Sequence, residues 1–284
     1  MVTIQNGHLT VDIAAQGAEM QRVRDANGVE RLWHGDPAFW SGRAPVLFPV
    51  AGAFKEDTYI LDGKRYTMPK HGFAKEREFA LEHRDAASAT FLLAREAGQE
   101  PGFPFAFALR IRYLLDGNAI TVQYITENTG REAFWHGIGA HEAYACPEGI
   151  GNYRVVFEKE EALRRILPQH GQITRESTPL DQQGNVLPLA DVLFAEEAII
   201  FDGIASRSVT LESPLHNRTV RVDFPDFDAL LLWTIPGAPY LCIEPWTNLP
   251  DYADTDQDIT KKPGMFEIRP GESRMWTHVV TFGG

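Results

Sequence analysis

Three short segments combine proton-transferring side chains with aromatic rings. They are Met68-Pro69-Lys70-His71-Gly72-Phe73-Ala74-Lys75, Trp135-His136-Gly137-Ile138-Gly139-Ala140-His141 and Leu241-Cys242-Ile243-Glu244-Pro245-Trp246. In the third, Glu244 follows the apolar run Tyr240 to Ile243 and precedes Pro245, which puts it near a strand end. A carboxylate buried there has a raised pKa and makes a base. In the second, the glycines let backbone approach closely and leave His141 at a sheet edge, while Trp135 supplies a flat apolar face that suits a sugar ring. Read singly, each residue also fits a plain structural role: a hydrogen-bonded histidine, a glutamate paired with an arginine, a tryptophan in the core. Residue chemistry reaches a His/Glu acid–base pair and stops there.

Other motifs fail on position. His141-Glu142 begins a zinc-protease signature, but the second histidine would fall at Ala145. Asp254, Asp256 and Asp258 have calcium-loop spacing, yet Ile259 stands at the glycine position and Met265 at the twelfth. Gly137-Ile138-Gly139 lacks the third glycine of a dinucleotide fingerprint, which is Glu142. Neither a phosphate-cradling P-loop nor a G-x-S-x-G elbow occurs.

The elements that must position these residues read as strands. Phe107, Leu109, Ile111, Tyr113 and Leu115 alternate with Ala108, Arg110, Arg112 and Leu114; a turn at Asp116-Gly117 leads to Ile120, Val122 and Tyr124 with the same period of two. Similar hairpins are expected at Asp62-Gly63, at Asn27-Gly28, across Pro214 to Arg218 and at Pro270-Gly271 before Trp276. Glu158 to Ile166 is the one helix-like stretch. Dense turns without a long capped helix predict an all-β antiparallel sandwich, with residues 1–284 as one domain.

Of the 284 residues, 44% are hydrophobic and 23% charged, enough to bury a sizeable core, so disorder is excluded as the main state. Lys+Arg 27 against Asp+Glu 39 gives a net charge of -12 with no basic block, which argues against nucleic acid as a partner. No 18-residue apolar run and no basic leader occur, so neither a membrane span nor secretion is expected. Cys146 and Cys242 match neither a metal spacing nor a disulfide framework, and a reducing cytoplasm is the expected compartment.

Taken together, five blocks resemble the aldose 1-epimerase (galactose mutarotase-like) superfamily, and within it the bacterial LacX-like branch. They are Trp33-His34-Gly35-Asp36-Pro37 with Trp40, Arg43 to Pro49, His71-Gly72-Phe73-Ala74, Gly139-Ala140-His141, and Cys242-Ile243-Glu244-Pro245-Trp246. The blocks occur in family order from about residue 30 to 250, so the resemblance covers nearly the whole chain.

The resemblance implies a large antiparallel β-sandwich that binds an aldose in an open cleft on one sheet and interconverts its α and β anomers without cofactor or metal. By position, His141 is the general acid toward the ring oxygen and Glu244 the base on the anomeric hydroxyl. His71 bonds the sugar near the reacting oxygens and Glu197 its ring hydroxyls, with Arg43, Lys75 and Trp246 as further substrate contacts. For such chemistry both Glu244 and His141 should titrate near the working pH. The chain departs from the family pattern at Glu197, usually Asp; Lys75, often Arg; Glu142, often Pro; and Asn248, commonly Gly. On a strand, Glu142 should point away from the face that carries His141. Two other readings share the cleft: a hexose-6-phosphate mutarotase, with Arg43, Lys55, Lys70 and Lys75 as phosphate ligands, and a sugar-binding module that has lost its chemistry.

Overall fold

A computed structural model describes residues 1–284 and contains 22 strands, five single-turn 3-10 segments and no α-helix. A nine-stranded antiparallel sheet runs in the order Val186–Pro188, Arg154–Phe157, Ser208–Glu212, Thr219–Asp223, Ser273–Gly283, Ala119–Asn128, Phe107–Asp116, Ser88–Arg95, Ala80–Arg84. A second sheet of four strands runs Glu142–Ala145, Tyr240–Trp246, Ala229–Trp233, Ile199–Asp202. Apolar side chains of both, such as Val122, Trp276 and Val280 from the first and Leu241, Ile243 and Leu232 from the second, share one buried cluster that extends from Ile4 to Phe282. The architecture is the all-β antiparallel sandwich that the strand pattern predicts.

The alternating segments form for the reason their pattern gives. On Ala119–Asn128 every second residue is buried, because one face packs on the opposing sheet. The turns at Asp62-Gly63, at Gly117 and across Pro214 to Arg218 each join strands that pair in antiparallel register. The turn at Asn27-Gly28 returns only as a bridge between Arg24 and Glu30. Past Pro270-Gly271 the flanking strands part. Phe266–Ile268 pairs with Phe134–His136, while Ser273–Gly283 enters the middle of the large sheet.

Glu158 to Ile166 is not helical. Its carboxylates bond outward to a neighbouring loop: Glu158 accepts from the Arg207 amide at 2.8 Å, and Glu161 from the Ala205 and Ser206 amides at 2.6 and 2.9 Å. Leu163 gives its own amide to Gln182 at 2.6 Å. From Arg164 the chain runs as a strand to Gln169 and pairs with Gln172–Pro179. Tertiary hydrogen bonds therefore override a local spacing that a helix would also satisfy.

Candidate active site

Register builds the site. In the four-stranded sheet Glu142 lies opposite Ile243, Ala143 opposite Cys242 and Tyr144 opposite Leu241. The same register continues backwards through the Ala140 amide, which donates to Pro245 O at 3.1 Å, and a bridge between Gly139 and Trp246. His141 is therefore the cross-strand neighbour of Glu244, on the same face of the sheet. His141 Nε2 and Glu244 Oε2 are 3.3 Å apart, with side chains 10% and 2% exposed. Because side chains alternate, Cys242, Glu244 and Trp246 face outward from the sandwich, while Leu241 and Ile243 face its core.

The outward face is the floor of an open cleft of about 820 Å³. Its lining includes His71, Lys75, His141, Glu197, Glu244 and Trp246, all expected from sequence, with Trp40, Lys70, Phe194, Glu196 and Trp233 beside them. Arg43 does not line the cleft. Its guanidinium bonds Gln21 Oε1 at 2.8 Å and packs so closely beneath Gly35 that a Cβ there would lie 2.7 Å from its Cζ. Trp135 also lies elsewhere, on the strand Phe134–His136 that pairs with Phe266–Ile268. The aromatic wall comes instead from Trp40, stacked on His141 at 5.0 Å and 29°, and from Trp233, edge-on to it at 5.7 Å. Trp33 Nε1 fixes the Trp40 loop by donating to Trp40 O at 2.8 Å.

His71 sits in a left-handed turn at φ 68°. Gly72 follows at φ 66°, where a Cβ would lie 2.1 Å from Phe48 O, so only glycine lets this loop approach. The Gly52 amide donates to His71 Nδ1 at 3.1 Å, which leaves Nε2 as the N–H of a neutral ring. Burial, reinforced by His141, Lys70 and Lys75, holds His71 well below the ordinary histidine pKa. Lys75 caps the same loop: its Nζ donates to Lys70 O and Gly72 O at 3.2 and 3.1 Å. Trp246 spends its indole N–H on Ala140 O at 3.0 Å, so it offers the cleft a ring face and secures the segment before His141. Asn248 stitches a third loop, accepting from the Ala51 amide at 3.1 Å and donating to Ala51 O at 2.8 Å.

Burial dominates the electrostatics of the pair. It lowers the His141 pKa to about 3 and raises that of Glu244 well above the carboxylate range, which favours an uncharged imidazole beside a protonated carboxyl, one transferable proton between the two. Glu244 matches the expectation of a raised base; the His141 pKa falls below the near-neutral value expected, because the ring is buried beside Trp40 and Trp233. Glu142 points to the core face, away from His141, as strand alternation predicts. With Cys242, the pair presents donor atoms within 4.8 Å of one another, a set a cation could use; burial keeps the Cys242 thiol protonated. Glu196 and Glu197 line the cleft from the segment just before the strand Ile199–Asp202.

Known proteins resemble the chain in both sequence and fold. The aldose 1-epimerase family model matches residues 1–280. Protein LacX of Lactococcus lactis subsp. lactis, in its chromosomal and plasmid forms, is 31% identical over 294 residues, covering 99% of this chain and 98% of each relative. A galactose mutarotase related enzyme from Lactobacillus acidophilus superposes with a TM-score of 0.93 at 29% identity, covering 100% of this chain and 97% of its own. A galactose mutarotase-like protein from Lactobacillus casei gives 0.94 at 29%, covering 99% of both chains. Matched from end to end by sequence and by fold, the chain belongs to the aldose 1-epimerase family.

Proposed function

We propose that the protein interconverts the α and β anomers of a free, unphosphorylated hexose in the cleft, acting in the cytoplasm as one catalytic unit and using no cofactor. The observation that carries this reading is the 3.3 Å approach of His141 Nε2 to Glu244 Oε2, two buried groups within reach of proton transfer. Mutarotation moves protons and no electrons, so a positioned acid and base, each giving roughly 10²- to 10⁴-fold, are sufficient.

The resting proton crosses from Glu244 to His141 as the sugar binds. Glu244 then takes the proton of the anomeric hydroxyl while His141 Nε2–H gives its proton to the ring oxygen. The C1–O5 bond breaks and the C1 carbonyl forms. After rotation about C1–C2, O5 attacks the other carbonyl face, its proton returns to His141 and Glu244 reprotonates O1. The pair ends as it began. The His71 Nε2–H donates to a sugar oxygen, Trp40 and Trp233 flank the apolar ring faces, and Glu196 and Glu197 accept from ring hydroxyls.

The charge of the cleft favours an unphosphorylated sugar. Glu19, Glu76, Glu196 and Glu197 line it against Lys70 and Lys75, and the Lys75 ammonium is already committed to two carbonyls. A phosphate would meet excess negative charge. Two buried, unpaired thiols suit a reducing compartment, and no helix is long and apolar enough to cross a membrane. Polarimetry of fresh α-D-glucose, α-D-galactose and glucose 6-phosphate tests the reading. We expect acceleration with a free hexose, little with the phosphate, and a loss of roughly 100-fold or more in Glu244→Gln. Acceleration with the phosphate alone, or undiminished turnover in the variant, would overturn it.

A further inference from the structure

Beside the catalytic pair lies a third side chain that the mechanism leaves unused. Cys242 is a free thiol with no exposed surface, two residues before Glu244 on one strand and therefore on the same face. One donor atom each from Cys242, His141 and Glu244 lie within 4.8 Å of one another. Register brings them together: Ala143 lies opposite Cys242, and His141 is the cross-strand neighbour of Glu244. Tetrahedral zinc, with bonds of about 2.0–2.1 Å to nitrogen and oxygen, sets two such ligand atoms about 3.3 Å apart. His141 Nε2 and Glu244 Oε2 stand at 3.3 Å. A bond of about 2.3 Å to sulfur needs edges of about 3.5 Å, which side-chain rotations reach from the present spacing.

The surroundings decide which ion fits and how it enters. Imidazole, thiol and carboxyl together suit zinc and its borderline neighbours, whereas magnesium and calcium take oxygen ligands. His141 Nδ1 is buried without a protein partner, so no hydrogen bond fixes the tautomer and Nε2 can present its lone pair. His71 cannot join the set: the Gly52 amide occupies its Nδ1 and leaves Nε2 as the N–H. The cleft side, lined by His141 and Glu244 but not by Cys242, is the way in and supplies the fourth coordination position. Coordination displaces the thiol proton of Cys242 and the carboxyl proton of Glu244 to solvent, and the two anionic ligands that form neutralise the ion. The orphaned Nδ1 also means that no further group orients the ring, which makes the ion exchangeable rather than resident.

We propose that Cys242, His141 and Glu244 form a reversible site for zinc or a divalent cation of its class, which halts turnover by taking the acid and the base as ligands. The inhibition rests on the pair being the catalytic machinery; the binding does not, so the test reads both. Cobalt(II) serves as the spectroscopic probe. Added to the protein, it should produce a thiolate-to-cobalt charge-transfer band that zinc abolishes and that Cys242→Ser lacks. In polarimetry with buffered free zinc, turnover should fall, recover with a chelator and be protected by excess sugar, while magnesium and calcium do nothing. Cys242→Ser should keep its basal turnover and need about tenfold more zinc for half-inhibition, since even a group that only orients a ligand is worth that much. If Cys242→Ser does not fold, Cys242→Ala gives the same reading. Absence of the band in the wild type, or equal zinc sensitivity in the variant, overturns the inference. A band confined to the wild type, in a protein inactive on every aldose, would support the site while sinking the assigned function; an active enzyme without the band would do the reverse.

Discussion

His71 enters the cleft as a neutral donor because the Gly52 amide has already claimed its other nitrogen. Its value lies in position and tautomer, so His71→Asn should raise KM about tenfold or more and lower kcat less, as steady-state mutarotation kinetics would register. The shared proton sets the pH profile. Activity fails when the pair gains a second proton, on the acid side, or loses its only one, on the alkaline side. With His141 depressed and Glu244 raised, the acid limb of kcat/KM should lie below the ordinary histidine value of 6.5. An acid limb above that value would contradict the buried pair. Glu244 and His141 were legible in sequence because strand-end and glycine signals surround them. Trp233 was not, since nothing local distinguishes a tryptophan that ends a strand over a cleft from one in a core. Arg43 misled in the other direction: its block matches the family, yet its side chain is consumed by Gln21.

At the scale of elements, the site depends on loops pressed against strand ends. The His71 turn is one of these, held by Gly72 against Phe48 O and by Lys75 against two carbonyls. Gly72→Ala would meet both a φ of 66° and a backbone oxygen 2.1 Å from its Cβ. It should destabilise the fold by about 2 kcal/mol or more and abolish most activity through His71, measurable by denaturant unfolding and polarimetry. Strands with a clean period of two were readable, as Phe107–Asp116 and Ala119–Asn128 attest. The floor strand Tyr240–Trp246 is buried throughout, one face in the core and the other in the cleft. Its alternation is invisible in hydropathy, and only the motif flagged it. Glu158 to Ile166 failed for a different reason, since its glutamates answer amides more than forty residues away.

Across the whole molecule, three histidines are buried without charge: His71, His136 and His141. Burial lowers all three, His136 to about 4. Their folded values lie below the unfolded value near 6.5, so their contribution is fully present above pH 6.5 and lost as pH falls toward the folded values. Unfolding then takes up protons, and His71 and His136 each cost up to about 1.4 kcal/mol per pH unit in that window, while the proton His141 gains is matched by the one Glu244 loses. Melting temperature should drop steeply between pH 6.5 and 4, and His136→Gln should shallow the slope; a flat profile would show that these rings are not neutral in the fold. The sheet carrying the pair has two interiors, the cleft on one side and the packed core on the other, and a single register assigns residues to each. A one-residue insertion between Ala140 and His141 would therefore not merely lengthen a strand. With the strand's pairing held, it would deliver His141 to the sandwich and exchange the occupants of cleft and core, leaving a folded molecule whose working face had been turned inward.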